Sequence, residues 1–173
     1  AGALRKMTRA NFVSGIGGTN TPSFFVYRST SSQTLNDDTY TKVQFNSEVF
    51  DTDNTFDNTT NYRFTPGVSG KYFLSAVVGV TMDTQRTGIN AQISIYKNGS
   101  GLVRTDPFNF YNASETGKSS AQGFLINAIV ESNTTDYFEV WVRSNTYSGN
   151  STINSDNSAT DMRTYFHGYK IIE

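Results

Sequence analysis

The chain offers one imidazole, His167, so any Ser-His-Asp hydrolase would have to be built on it. It lies between Phe166 and Gly168 in a stretch that reads as a strand, and the sequence holds no Gly-x-Ser-x-Gly turn to present a nucleophile. A packed or interfacial histidine fits that setting better than a general base. The absence of cysteine removes disulfides, thiolate metal sites and thiol nucleophiles together. Acids are plentiful, 15 Asp and Glu, yet no spacing among them selects a pair for glycoside cleavage. Asp51, Asp53 and Asp57 form the most metal-like cluster, since closely spaced carboxylates suit a hard cation such as calcium. As an EF-hand loop the segment fails, with Phe56 where the template needs Gly and Tyr62 where it needs Glu, and a solvated acidic turn is the competing reading. No other cofactor is expected.

Recognition is the chemistry with more support. Residues 106–118 combine Phe108, Phe110 and Tyr111 with Asn109 and Asn112, a mixture that can stack on sugars or anchor a protein partner, or fold back as a local core. Residues 144–161 read as a long polar loop of the kind that carries binding on a rigid scaffold.

The elements that must hold these groups are strands. Ser, Thr, Asn and Gly number 73 of 173 residues and charged residues only 17%, a palette of turns and pleated surfaces. The 13 Phe, 10 Tyr and one Trp require a packed interior. Tyr72, Leu74, Ala76, Val78 and Val80 occupy every second position and fall on one sheet face. Ile89, Ala91, Ile93 and Ile95 repeat the pattern and run into Asn98-Gly99, a tight hairpin signal, followed by a return strand through Leu102 and Val103. Further strands are expected over residues 24–27, 40–45, 124–130, 137–143 and 162–172, with residues 46–61 acidic and rich in turns. Residues 1–22 read apart from this body. They hold Arg5, Lys6 and Arg9 without an acid, Leu4 and Met7 at helical spacing, and Phe12 before a Gly-rich linker. Such an arm docks on a partner or frays. A net charge of −1 gives no basic stripe for nucleic acid, and no run reaches the ~20 apolar residues of a membrane span, so neither nucleic-acid binding nor membrane insertion is expected.

The body resembles a known family. Phe45, Asp51 six residues later, Phe56 five beyond that, and Phe64 followed by Gly70, Tyr72 and Leu74 are similar to the signature of the complement C1q-like globular head, of the C1q/tumour necrosis factor superfamily. Lys42-Val43-Gln44-Phe45-Asn46, Thr65-Pro66-Gly67, Lys97-Asn98-Gly99 and Phe166-His167-Gly168-Tyr169 extend the resemblance over residues 23–172. His167 stands where the family usually has Ser, and the gap from Phe56 to Phe64 is one residue longer than usual. The resemblance implies an all-β jelly-roll sandwich over residues 23–173, a homotrimer, and a non-enzymatic head. Cysteine-free members of this kind occur on phage particles as capsid decoration (cement) proteins and tail fibre heads. The implied partners are therefore a second and third copy and a viral capsid or tail protein, with the virion as location. The alternative is a secreted C1q-like adhesin or lectin that binds a cell-surface glycan.

The rings support the homotrimer independently, because 24 aromatics exceed what one sandwich core holds. Alternation turns Phe73, Trp141 and Tyr165 away from the core, and with His167 they are the expected interface residues.

Overall fold

The computed structural model describes residues 20–82, 89–110, 120–146, 150–156 and 160–171. Among these residues fourteen strands form two sheets packed face to face. The first contains β1 (Ser23–Tyr27), β2 (Gln33–Leu35), β4 (Ser47–Asp51), β7 (Gly70–Met82), β11 (Ser120–Ser132), β13 (Ser151–Ile153) and β14 (Tyr165–Lys170). The second contains β3 (Thr41–Lys42), β5 (Phe56–Asp57), β6 (Arg63–Phe64), β8 (Ile89–Lys97), β9 (Ser100–Arg104), β10 (Phe108–Phe110) and β12 (Phe138–Asn145).

Across the first sheet the order is β11, β7, β14, β1, β4, with β13 meeting β7 at Val80 and Thr81 and β2 outside β13. Across the second, β8 lies between β12 and the pair β9 and β10, and β12 carries β3 and β6 on its other side. All strand pairs are antiparallel. The chain passes from sheet to sheet at β7 to β8, β11 to β12 and β12 to β13, which gives the expected all-β jelly roll.

The core follows from the pleat. Tyr72, Leu74, Ala76, Val78 and Val80 all point inward with no exposure, and Ile93, Ile95, Val140 and Val142 meet them from the second sheet. Each aliphatic side chain buried this way contributes about 1.5–3 kcal/mol before the entropy of ordering is subtracted. Phe24 sits among aromatic neighbours, its ring centroid 4.3 Å from Phe64, 4.9 Å from Phe166 and 5.4 Å from Phe56. Gly168 makes room for it: a Cβ there would lie 2.6 Å from Leu74 Cδ2 and 2.8 Å from the Phe73 carbonyl. Asn98 (φ 53°) and Gly99 (φ 77°) make the expected two-residue hairpin between β8 and β9.

Several boundaries differ from expectation. The recognition segment 106–118 contains β10, whose residues Phe108, Asn109 and Phe110 pair with Ala91, Asn90 and Ile89. The polar stretch 144–161 contains β13, which the short span of three residues concealed. Residues 40–45 supply only β3, although Val43 and Phe45 are buried on the alternation expected and the Val43 amide donates to the Val140 carbonyl. The turn-rich 46–61 segment includes β4 and β5, while β11 is longer than its apolar centre and β14 begins only at Tyr165. The arm residues 1–19 lie outside the described residues.

Candidate functional site

The outward side of the first sheet is the most distinctive surface. Because Tyr72, Leu74 and Ala76 face inward, Phe73, Ser75 and Val77 of β7 must face out. The register then assembles rows across five strands. Ile129, Phe73 and Tyr169 form one row; Asn127, Ser75, His167, Phe25 and Phe50 a second; Leu125, Val77, Tyr165 and Tyr27 a third. Aromatic contacts knit the rows together, Phe73 to Tyr169 at 5.5 Å, Phe25 to Tyr165 at 5.6 Å and Phe25 to Phe50 at 6.3 Å. The margins are open to solvent: Ile129 is 66% exposed, Leu125 57% and Phe50 47%. A register shift between Phe25 and Val26 accompanies the exposure of Val49 and Phe50 on β4.

His167 occupies the middle of this face, half-buried, with ring centroids of Phe25 at 5.4 Å, Tyr165 at 6.0 Å and Phe73 at 6.3 Å. Burial holds its imidazole below the ordinary histidine value. Among the described residues, neither an acid nor a serine hydroxyl hydrogen-bonds to it, so the relay of a hydrolytic triad is not assembled there.

Of the four residues expected at an interface, the structure brings Phe73, Tyr165 and His167 together and places Trp141 on the opposite side of the molecule. Trp141 stacks on Tyr96 (5.1 Å, 26°) on the outer face of the second sheet, and its Nε1 donates to Glu139 Oε2 at 3.0 Å. Lys42 binds the other oxygen of the buried Glu139 at 2.8 Å and lies 5.7 Å from the indole. Tyr40 continues the cluster, 6.2 Å from Tyr96, with its hydroxyl donating to Gln92 and the guanidinium groups of Arg104 and Arg143 at 5.9 and 5.8 Å from its ring. Arg143 also pairs with Asp38, whose carboxyl is held below the usual range by hydrogen bonds from Asn145 and Arg143.

Sequence reasoning missed Phe25, Phe50, Tyr169, Leu125 and Ile129. For Leu125 and Ile129 the signal was available, since both are out of phase with the inward Phe124, Ile126 and Val130. Phe25 was hidden inside the run Phe24-Phe25-Val26-Tyr27, where both phases are apolar.

Two of the calcium candidates, Asp51 and Asp57, cap their own turns. Asp51 Oδ2 accepts the Phe56 amide at 2.7 Å, and Oδ1 the Thr55 hydroxyl at 3.0 Å. Asp57 accepts the Thr60, Thr59 and Asn61 amides at 2.8, 3.1 and 3.1 Å, and these bonds, that of Thr60 first, hold its carboxyl well below the usual range. Asp53 makes one long contact, from Thr52 at 3.5 Å. No group of three His, Asp or Glu able to hold a metal ion exists among the described residues. In the expected ligand loop, Phe108, Asn109 and Phe110 are placed by their backbone pairing, and Tyr111 and Asn112 lie outside the described residues. So do the arm residues Leu4, Arg5, Lys6, Met7, Arg9 and Phe12.

At one end of the apolar face, Gly79 and Gly123 are cross-strand partners and leave a hollow of about 330 Å³ bordered by Val77, Asn154, Met162, Arg163 and Tyr165. Arg163, on its border, reaches the buried Asp156 through Nε at 3.2 Å, and the Arg163 and Thr164 amides also donate to that carboxylate.

No protein-family model matches the sequence, and no curated protein matches it. Among solved structures the chain is similar to the globular domain of the zebrafish complement 1qA protein, at 17% identity and a TM-score of 0.47, over 87% of this chain and 96% of that one.

Proposed function

We propose that the chain is a non-enzymatic structural head that works as a homotrimer on a virus particle, as a capsid decoration protein or a tail fibre head. The observation that carries the self-association is the outer face of the first sheet, where Phe50, Leu125 and Ile129 stand open beside a half-buried aromatic cluster. A contiguous apolar surface spanning five strands is what a protein interface covers. Its two ends differ in kind: aliphatic at β11, where Leu102 of β9 adjoins Ile129, and aromatic at β14, β1 and β4. Unlike ends suit a head-to-tail contact that closes into a ring rather than a twofold pairing of like with like.

The particle assignment draws on the chain's chemistry. A cysteine-free body with a small, neutral polar surface, preceded by an arm holding Arg5, Lys6 and Arg9, is equipped to dock by its arm and to present its loops outward. Light scattering of the full chain should give three times its 19.2 kDa mass. A single-chain mass at micromolar concentration overturns the self-association reading. Co-sedimentation with capsid and tail components should be lost when residues 1–20 are removed. Binding to glycans in place of particle proteins, abolished by Phe108→Ala, would support the adhesin instead.

A further inference from the structure

The only histidine of the chain stands at the centre of the apolar face, on β14, opposite Phe25 of β1 and Ser75 of β7. The groups facing it can be taken strand by strand. From β7 come Phe73, Ser75 and Val77, and beyond them Asn127 of β11, while Lys71 and Glu131 lie opposite each other two register places further along. From β1 come Phe25 and Tyr27, and from β4 beyond it Phe50, with the exposed Glu48 paired through the backbone with Val26 across the register shift. Its own strand adds Tyr165 and Tyr169. The ionisable neighbours in these rows are phenols, and among the described residues no carboxylate bonds the imidazole.

We infer that self-association through this face is gated by protonation of His167: the neutral ring packs within the contact, and the imidazolium formed on acidification drives the copies apart. The inference rests on the reading above that a second copy covers the face. Burial already disfavours the charged ring in the single chain, and a partner laid over Phe25, Phe73 and Tyr165 removes more of the water that a cation requires. The associated state therefore binds fewer protons than the separated chains. Its stability is complete above the separated chain's histidine pKa and falls as the pH drops through it. Each unit by which assembly lowers that pKa weakens association about tenfold per copy at pH values below both. Ring symmetry brings one such charge from every copy.

The test is sedimentation of the full chain at pH 8 and pH 5, for wild type, His167→Gln and His167→Phe. The expected result is a homo-oligomer at pH 8, dissociation of the wild type at pH 5, and persistence of at least one variant oligomer at both. A wild-type oligomer unchanged at pH 5 overturns the inference and leaves self-association standing. A single chain at pH 8 overturns self-association itself. Equal acid dissociation of wild type and both variants assigns the effect to other groups and overturns the inference. Where neither variant assembles, the lone imidazole Cε1 proton signal of the wild type decides: a titration midpoint displaced downward in the oligomer supports the gate, and an undisplaced one overturns it.

Discussion

The two outer faces of the sandwich both carry aromatic rings and treat them in opposite ways. On the second sheet Trp141, Tyr96 and Tyr40 are enclosed by Lys42, Glu139, Gln92, Arg104 and Arg143, with the indole N–H and the Tyr40 hydroxyl both hydrogen-bonded. On the first, Phe25, Phe50, Phe73 and Tyr165 touch one another and His167, and no lysine or arginine ring contact covers them among the described residues. Clustered rings on an outer face therefore do not by themselves mark an interface. What separates the faces is whether polar partners within the same chain already complete the rings' surroundings.

The largest effect expected from that contrast is on assembly. Phe73→Asp sets a carboxylate in the middle of the apolar face and should weaken self-association at least about a hundredfold at neutral pH, read by sedimentation, while the circular dichroism of the chain persists. Trp141→Ala is the mirror experiment. It strips the ring from a half-buried network and should cost about 2 kcal/mol in denaturant unfolding, below the 3–5 of a fully buried aromatic, with the oligomer unchanged at concentrations well above its dissociation midpoint. Loss of the oligomer in Trp141→Ala, with Phe73→Asp unaffected, would reverse the assignment of the faces. A smaller cost, about 1 kcal/mol, belongs to Asn98→Ala, which removes the side chain that binds Asp136 at 2.7 Å and places alanine at a φ of 53°.

The last signal lies in acid. Lys97, the Asn133 amide and Asn98 hold the Asp136 carboxyl down at about 2. Its contribution to folding is complete above the unfolded carboxylate value of about 3.9 and is lost as the pH falls through about 2. An acid titration should thus show dissociation of the first face well before this loss of folding stability, and Asp136→Asn should flatten only the second event.

Much of the fold was legible because strict alternation survives wherever one side of a strand is core, as in β7, β8 and β12. It failed where pairing owed little to apolar pattern. β13 is three residues with a polar centre, and β10 begins in a run that reads equally well as an aromatic loop. For the site, alternation located Phe73, Tyr165 and Trp141 as outward residues but could not tell which sheet each belonged to. That assignment depends on pairing across long sequence separations, such as Tyr165 with Val77, which periodicity does not encode. The partners that enclose Trp141 were likewise out of reach, since Lys42 and Glu139 are 97 positions apart.

The β11 strand runs 13 residues and pairs among the described residues with β7 alone, and Glu131 is the one charged residue along it. The strand carries none of the lysines, prolines or brevity by which sheet borders usually deter further pairing. In a ring of copies it would be shielded by the neighbour. Dilution would then be the hazardous direction for this protein: chains released from the ring, rather than chains crowded into it, would seed amorphous or fibrillar deposits.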